Sequence, residues 1–251
     1  MITKQDRIIL NVNPLHIVGT LISWVINMQV GAIIPLKILS NSKSRLRKEH
    51  STAEFNELVD TLSEKMFYLV LSAVFFSERV SEVLIATSDS RISEVLSHLG
   101  INFYLDHWID LNLIVKDGIS ILRGLGCEIG LVLMADLPHI SNRPIDQLME
   151  LDILTGQANC FVILRSSDQG TTGLVQKPLG ITPLFLNYAN SAEKHFNYAL
   201  ERNIPCVVID TKEFSIDIDT VVDLSEFVVQ TENDNLTAIV HQLRKLLDSI
   251  R

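Results

Sequence analysis

The sequence predicts an α/β fold, with a mostly parallel sheet that helices cover on both faces. Apolar runs alternate with helical stretches from Met28 onward, which is the pattern of repeated βαβ units. The apolar runs are continuous, as in strands that are buried on both faces. With 251 residues and 47% hydrophobic residues, the chain can bury a full core. We expect one large domain over residues 28–251, preceded by an apolar extension over residues 1–27.

The charge balance limits the class of partner. The formal net charge is −9 and the sequence pI is about 5.2. Because a nucleic-acid-binding protein needs a broad basic face, nucleic acid is not expected as a partner. A small anion held by local cations is compatible with this balance.

Cysteine usage indicates the redox environment. Cys127, Cys160 and Cys206 lie in or beside apolar runs and show no CxxC spacing. Neither a disulfide framework nor a zinc site is therefore expected. A reducing cytoplasm is the expected location.

Residues 15–26 form a nearly continuous apolar stretch ahead of the first predicted strand. The stretch is shorter than the roughly 20 residues that a membrane span needs, so no stable span is expected. It also lacks the basic leader and the small-residue cleavage site of a secretory signal. We expect translation to start at Met28, with a surface-seeking or partner-binding helix as the alternative for the upstream residues.

The first strand is predicted over residues 30–34 and ends at Pro35. The loop that follows carries four cations, namely Lys37, Lys43, Arg45 and Arg47. The motif Ser51-Thr52-Ala53-Glu54 then matches a capping box and predicts a helix over about 55–77. A buried strand, a cationic loop and a capped helix make a place for an anion at the carboxyl edge of a parallel sheet. A solvated basic loop is the alternative.

Further strands and helices alternate along the rest of the chain. Strands are predicted over residues 83–87, 101–105, 129–135, 160–164 and 207–209. One helix is predicted to end near residue 99, and others cover about 111–125, 144–154, 190–202, 221–228 and 236–250. The last helix is amphipathic, so we expect it to pack on the outside of the sheet.

The strand over residues 129–135 is the most apolar in the sequence, as expected of a central strand. Asp136 follows it directly, and Pro138 stops regular structure two residues later. Because open α/β sheets bind their ligands at this end of a strand, Asp136 is a candidate for ligand chemistry. A carboxylate that makes a turn or an N-cap is the alternative.

A polar loop is predicted over residues 165–173, with the motif Asp168-Gln169-Gly170-Thr171-Thr172-Gly173. Its glycines and hydroxyls could present backbone N–H groups to an anion, although a turn-rich connection would have the same composition. Farther on, Asn190-Ser191-Ala192-Glu193 predicts a helix cap. His195 follows one helical turn after Ser191 and could contact a ligand, but a capping or packing role is the simpler interpretation.

Asp217 and Asp219 stand two residues apart, directly before a predicted helix. Alternate residues of an extended segment share a face, so the two carboxylates would point the same way and repel each other without a cation between them. Together with Asp136 they would form an all-oxygen ligand set that suits Mg²⁺. Helix capping by the two carboxylates is the alternative.

These motifs resemble the 2-phospho-L-lactate guanylyltransferase family in order and approximate spacing. The matching segments are Ile34-Pro35-Leu36-Lys37 with Lys43-Ser44-Arg45-Leu46, Ala135-Asp136-Leu137-Pro138, Asp168 to Gly173, Asn190-Ser191 with His195, and Asp217-Ile218-Asp219-Thr220 with Asp223-Leu224. The resemblance implies a GT-A-like, Rossmann-like nucleotidyltransferase fold. It also implies a reaction in which a phospho-acid attacks the α-phosphorus of GTP and releases pyrophosphate. The phospho-acid would be 2-phospho-L-lactate, phosphoenolpyruvate or 3-phospho-D-glycerate, in the biosynthesis of the deazaflavin coenzyme F-420.

The same resemblance implies a role for each matching residue. The catalytic residues would be Lys37, Arg45 and Asp136. The nucleotide would be bound by Lys37, Lys43, Ser44, Arg45, Ser88 and Asn112. The phospho-acid would be bound by Thr171, Thr172, Gly173 and Ser191, and Mg²⁺ by Asp136, Asp217 and Asp219. A homodimer is compatible with this assignment, and the product would pass to the next enzyme of the pathway.

Several positions depart from the family pattern. The family usually has Gly-Gly-Thr-Asn where this chain has Gly170-Thr171-Thr172-Gly173, and Gly-Leu-Asn where it has Asp110-Leu111-Asn112. Ala189 and Ala192 replace an expected glycine and an expected aromatic residue. These changes fall on the acceptor and base pockets, so the identity of the acceptor stays open. The alternatives are a molybdopterin-type or sugar-type nucleotidyltransferase, whose Gly-Gly-rich first loop is missing here, and a non-catalytic nucleotide-binding relative.

Overall fold

A computed structural model describes residues 28–39, 42–50, 52–105, 110–186, 188–226 and 234–248 of the chain. The extension over residues 1–27, to which the prediction of a start at Met28 refers, lies outside the described residues. Within the described ranges, no helix combines the length and apolar character that crossing a bilayer would need.

Strands and helices alternate along the described part of the chain. In order they are β1 (Val30–Leu36), α1 (Ser44–Glu49), α2 (Ala53–Phe75), β2 (Glu82–Thr87), α3 (Ser90–Leu99), β3 (Asn102–Leu105), α4 (Leu111–Gly124), β4 (Ile129–Leu133), α5 (Asn142–Met149), α6 (Asp152–Gly156), β5 (Cys160–Arg165), β6 (Thr171–Lys177), α7 (Ser191–Glu201), β7 (Cys206–Ile209), α8 (Lys212–Ser215), α9 (Val221–Glu226) and α10 (Asp234–Asp248). The predicted strands are all present, with ends that differ by one or two residues in most cases. The strand predicted over 30–34 continues to Leu36, and the one predicted over 129–135 stops at Leu133.

The strands of the described residues form a seven-stranded sheet in the order β3-β2-β1-β4-β6-β5-β7. β1 pairs in parallel with β2 and β4, and β5 pairs in parallel with β7. Only β6, among these strands, runs against its neighbours β4 and β5. The predicted α/β class with a mostly parallel sheet is confirmed.

The prediction of one loop over residues 165–173 is wrong in its second half. β5 ends at Arg165, a short turn follows, and Thr171 already begins β6. Asp168 closes the turn, because its carboxylate accepts the Gly170 N–H at 3.0 Å. The β-branched threonines favour a strand, but the glycines on either side of them are typical of a loop, so the composition predicted a loop. Since β6 is antiparallel, its first residues lie at the same edge of the sheet as the carboxyl ends of β1 and β4.

Two apolar layers cover the sheet. Ala32 and Ile34 of β1 face a layer that contains the C-terminal half of α2, whereas Ile33 faces the opposite layer with α4. Gly118 lets α4 approach closely, because a Cβ atom there would lie 1.8 Å from the Ile33 Cδ1 atom. The alternation of strand residues between these layers is the expected period of two.

A third apolar cluster lies beyond the end of the sheet. α10 packs on the N-terminal half of α2 rather than on the sheet itself, which corrects the prediction for the last helix. Leu46, between Arg45 and Arg47, and Ile218, between the two aspartates, are fully buried in this cluster. The loops that carry the predicted site are therefore anchored to one apolar support.

Polar residues fix the starts of the helices. Thr52, rather than Ser51, is the N-cap of α2, and its hydroxyl accepts the Phe55 N–H at 3.3 Å; Ser51 lies outside the described residues. Asp89 and Asp110 cap α3 and α4 in the same way. These caps satisfy N–H groups that a helix start leaves without partners.

Candidate active site

A cleft of about 590 Å³ opens at the carboxyl edge of the sheet. Its walls come from the loops after β1, β4 and β5, from the start of β6, from the N-terminus of α7 and from the segment between α8 and α9. The predicted site residues that line it are Lys37, Lys43, Ser44, Arg45, Asp136, Thr171, Thr172, Ser191, Asp217 and Asp219. Residues far apart in sequence thus meet in one concave space.

Lys43 lies at the centre of one side of the cleft. Its backbone is left-handed (φ 52°, ψ 43°) at the N-cap of α1, and the residue is 9% exposed. The Nζ atom lies 2.6 Å from the Asp136 carboxylate and 2.8 Å from the Asp219 carboxylate. Burial by itself would lower the pKa of Lys43, but the two carboxylates raise it above its ordinary value. Lys43 is therefore a fixed cation.

Three carboxylates surround this cation. One oxygen from each of Asp136, Asp217 and Asp219 lies within 4.8 Å of the others. Burial, and then the charges of the other two aspartates, raise the pKa of Asp217 to about 7. Burial acts in the same direction on Asp219, but Lys43 and the neighbouring cations outweigh it and lower the pKa of that carboxyl. The two aspartates therefore share a segment but not an electrostatic environment.

This set has more negative charge than its cation neutralises. Asp217 is the carboxylate of the three that accepts no hydrogen bond from Lys43. Burial raises its pKa most, and the charges of Asp136 and Asp219 raise it further. Closely spaced carboxylate oxygens are the ligands that Mg²⁺ takes in proteins. The three aspartates are therefore suited to hold a divalent cation. We call Lys43, Asp136, Asp217 and Asp219 the charged side of the cleft.

The sequence left open whether Asp217 and Asp219 cap the helix that follows them, α9. The carboxylate of Asp223 accepts the N–H groups of Asp219 and Thr220 at 3.0 and 2.7 Å, and the Thr220 hydroxyl at 2.8 Å. Asp223 thus holds the helix start from within the first turn. The side chains of Asp217 and Asp219 remain directed into the cleft.

The four cations of the first loop divide into two groups. Lys37, Lys43 and Arg45 line the cleft, and the Arg45 guanidinium is 3.9 Å from the Asp219 carboxylate. Arg47 instead pairs with Asp60 on α2 and donates to backbone carbonyls of its own loop, so it braces the loop.

Two hydroxyl side chains line another part of the cleft, and a buried histidine lies behind them. The Ser191 hydroxyl lies 2.9 Å from the Thr171 hydroxyl, which lies 3.3 Å from Nδ1 of His195. All three residues are buried, at 8% exposure or less. Burial lowers the pKa of His195 to about 4, although a hydrogen bond with the Ser191 backbone acts in the opposite direction. We call Thr171 and Ser191 the hydroxyl side of the cleft, and His195 lies directly behind it.

Three predicted site residues do not line the cleft. Ser88 is exposed at the end of β2, and its neighbour Asp89 takes the buried position, where it accepts the Leu39 N–H. The Asn112 side-chain oxygen accepts the Leu186 N–H at 2.8 Å. Gly173 lies inside the sheet, where a Cβ atom would be 2.8 Å from the Val132 carbonyl oxygen.

Thr172 has a structural role although it lines the cleft. Its hydroxyl donates to the carbonyls of Leu164 and Phe214, which ties β6 to β5 and α8. Sequence reasoning also missed lining residues, among them Ser166, Asp168 and Tyr188. Asp168 belonged to a matched motif but received no role there. The carboxyl end of β5 was the signal for Ser166 and Asp168, as it was for Asp136 at the end of β4.

The family described as Guanylyl transferase CofC like matches residues 30–249 of the chain. The chain belongs to this family. It is a nucleotidyltransferase, and the fold and the cleft are compatible with that class.

Several relatives match most of the chain. A phosphoenolpyruvate guanylyltransferase from Sphaerobacter thermophilus is 29% identical over 196 residues, which cover 78% of this chain and 90% of the relative. A 2-phospho-L-lactate guanylyltransferase from Methanosphaera stadtmanae is 26% identical, over 80% of this chain and 84% of the relative. A 3-phospho-D-glycerate guanylyltransferase from Colwellia psychrerythraea is 26% identical, over 78% and 90%.

Solved structures share the fold. A protein described as a nucleotide-diphospho-sugar transferase from Desulfovibrio desulfuricans superposes with a TM-score of 0.71 at 14% identity, covering 88% of this chain and 98% of that chain. A 4-diphosphocytidyl-2C-methyl-D-erythritol synthase from Anaerococcus prevotii gives a TM-score of 0.53 at 12% identity, over 88% and 99%. The GT-A-like nucleotidyltransferase fold predicted from the sequence is confirmed.

Proposed function

We propose that the protein is a guanylyltransferase that transfers the GMP unit of GTP to a three-carbon phospho-acid and releases pyrophosphate. The observation that carries the proposal is the charged side of the cleft, where three carboxylates and a buried lysine meet beside two further cations. Family membership favours guanosine as the nucleoside. We also propose that this reaction serves the biosynthesis of a deazaflavin coenzyme, a role that the resemblance to the family supports.

The bonds that form and break in this transfer determine what the cleft must do for catalysis. A phosphate oxygen of the acceptor forms a bond to the α-phosphorus of GTP, and the bond from that phosphorus to the bridging oxygen of the β-phosphate breaks. No general base is needed, because the attacking phosphate is already ionised at neutral pH. Catalysis therefore consists of bringing two anions together and neutralising their charge.

The cationic loop is suited to the triphosphate. We assign Lys37 and Arg45, which line the cleft from its more exposed side, to the phosphates of GTP and to the leaving pyrophosphate. Ser44, at the start of α1, adds a hydroxyl to the same wall. Lys43 is held between Asp136 and Asp219, so it would hold these two carboxylates close together and donate toward the reacting phosphates.

We assign Asp136, Asp217 and Asp219 as the residues that hold Mg²⁺. The spacing of their oxygens and the raised pKa of Asp217 support this assignment, because both indicate that the site has room and charge for a further cation. A bound Mg²⁺ would offset negative charge on the two phosphates that must approach each other.

The hydroxyl side is suited to the phospho-acid. Thr171 and Ser191 offer neutral hydroxyl donors that border the cleft. A carboxylate of the acceptor would avoid the aspartates by lying there. The relatives are named for three different phospho-acids, so the choice of acceptor is a matter for experiment.

The test is an assay of the full chain with GTP, CTP or UTP in all combinations with the three phospho-acids. Pyrophosphate release is measured together with trapping of the unstable product by the enzyme that consumes it. We expect Mg²⁺-dependent release with GTP and one acceptor far above the other combinations. Preference for CTP or UTP, or release that does not depend on any phospho-acid, would contradict the proposal.

A further inference from the structure

His195 lies directly behind the hydroxyl side and does not itself line the cleft. The ring is fully buried on α7, and Nδ1 lies 3.3 Å from the Thr171 hydroxyl. On the other side of the ring, Nε2 lies 3.1 Å from the backbone nitrogen of Phe185. Any influence of His195 on a ligand therefore passes through Thr171 and Ser191.

The contacts determine which nitrogen carries the ring proton. A backbone N–H can only donate, so Nε2 must accept from Phe185 and carries no hydrogen. Burial keeps the ring neutral at neutral pH, and a neutral imidazole has one N–H, which is then on Nδ1. A protonated Nδ1 has no lone pair available. Thr171 therefore cannot donate its hydroxyl hydrogen to the ring.

This tautomer determines how many hydroxyl hydrogens of Thr171 and Ser191 remain available to a ligand. Thr171 and Ser191 together have two hydroxyl hydrogens, and the 2.9 Å contact between their oxygens uses one. Among the described residues, the structure records no other hydrogen-bond acceptor for either hydroxyl. One hydrogen is left over, and both hydroxyls border the cleft. With the opposite tautomer, Nδ1 would accept one hydrogen, the oxygen–oxygen contact would use the other, and none would remain.

We propose that His195 is a positioning residue whose Nδ1–H tautomer leaves one hydroxyl hydrogen of the Thr171–Ser191 pair for an anionic oxygen of the phospho-acid. The identity of this ligand rests on the proposed function. A hydrogen bond to a charged group is worth about ten- to hundredfold in affinity. The KM for the phospho-acid should record this gain, whereas the KM for GTP should not.

Two substitutions of similar size separate the donor from the packing. In His195→Asn, the side-chain amide can place its NH₂ group near the position of Nδ1 and keep the donor. In His195→Gln, the longer side chain reaches toward the position of Nε2, where its oxygen can accept the Phe185 N–H. The Nδ1–H donor to the Thr171 oxygen is then lost, and the Thr171 hydroxyl is free to turn its hydrogen away from the cleft. We expect His195→Gln to raise the KM for the phospho-acid by about tenfold or more, and His195→Asn to stay closer to the wild type.

A double-mutant cycle shows whether His195 acts through Thr171. Thr171→Val removes the hydroxyl and keeps the shape, and Thr171→Ser is its matched control. If the proposal is correct, adding His195→Gln to Thr171→Val changes the acceptor KM little further. Fully additive effects, equal KM values for the Asn and Gln variants, or a matching rise in the KM for GTP would each overturn the proposal.

The tautomer of His195 can also be measured in the absence of substrate. In protein with ¹⁵N-labelled histidine, the nitrogen shifts of His195 should identify Nε2 as the unprotonated nitrogen near neutral pH. The Nε2–H tautomer or a charged ring overturns the inference, even if GTP transfer to a phospho-acid is found. Conversely, a wild-type enzyme that uses none of the three phospho-acids overturns the proposed function, while an Nδ1–H result would still support the hydrogen count.

Discussion

The charged side and the hydroxyl side of the cleft are built in different ways. The charged side consists of carboxylates and a lysine on loops after parallel strands, and its aspartates are partly exposed, at 29% for Asp136 and 38% for Asp219. The hydroxyl side begins on the antiparallel strand β6 and on α7, and it is almost completely buried. Removing one of these partly exposed carboxylates should therefore affect chemistry far more than folding, whereas changes on the hydroxyl side should affect both.

Asp219→Asn provides the strongest test of this difference. Loss of one carboxylate weakens both the cation site and the pairing with Lys43, so we expect turnover to fall by about 10³-fold or more. The stability of the fold should change little, because this side chain is partly exposed. Turnover and thermal unfolding are measured on the same sample. The matched control is Asp210→Asn, an exposed aspartate that pairs with Arg165 away from the cleft, and it should retain activity.

His195 should make the stability of the hydroxyl side depend on pH. Its pKa is about 4 in the fold against 6.5 in the unfolded chain, so the unfolded state binds the proton first. The stabilisation that comes from keeping His195 neutral is fully present above pH 6.5. It is lost as the pH falls toward 4, and the free energy of unfolding decreases by about 3 kcal/mol in total. Urea unfolding of the wild type and of His195→Gln at several pH values measures this term.

The effect of His195 is the difference in the free energy of unfolding between the wild type and His195→Gln at each pH. Asp217 acts in the opposite direction, because its raised pKa adds stability at low pH that is lost as the pH rises toward 7. Asp217 is present in both proteins, so its contribution cancels. If the difference between wild type and His195→Gln does not change between pH 7 and 4, His195 does not titrate as the structure indicates.

Lys43→Met tests whether the charged side depends on its internal cation. Without Lys43, the three aspartates repel one another, and we expect a loss of about 2 to 3 kcal/mol in the free energy of unfolding, discounted for their partial exposure. Added Mg²⁺ should restore more stability to this variant than to the wild type. Chemical denaturation with Mg²⁺ or with a chelator measures both effects. Lys48→Met, at an exposed position of α1, should behave like the wild type.

Gly173→Ala tests the packing of β6 itself. A Cβ atom there would lie 2.6 Å from the Leu164 Cδ1 atom and 2.8 Å from the Val132 carbonyl oxygen, and the backbone atom cannot easily move. We expect a loss of about 1 to 3 kcal/mol in the free energy of unfolding. Gly124→Ala is the control, because nothing lies within 4 Å of its Cβ position at the end of α4. Equal stability of the two variants would show that β6 tolerates expansion.

Much of the fold could be predicted because its signals are local. Continuous apolar runs marked the strands, and the motif at Asn190 marked the start of α7, although the Asn190 side chain makes no capping hydrogen bond there. The last helix was found from its amphipathic pattern, yet the pattern could not say that its apolar face meets α2. A periodic pattern defines a face but does not name what covers it.

The sequence by itself determined part of the charged side. Parallel strands bring their carboxyl ends to one edge of a sheet, so Asp136, shortly after β4, can be placed without knowing the rest of the fold. Asp217 and Asp219 lie beyond α8 rather than at the end of a strand, and only their spacing of two residues indicated that they belong together.

The tertiary structure decided the hydroxyl side. Thr171 reaches the same edge only because β6 pairs against β4 and β5, and Ser88 stays outside because Asp89 occupies the buried position beside it. The direction of a strand, and which of two neighbouring side chains is buried, depend on residues far away in the chain. A local sequence pattern carries no information about those residues.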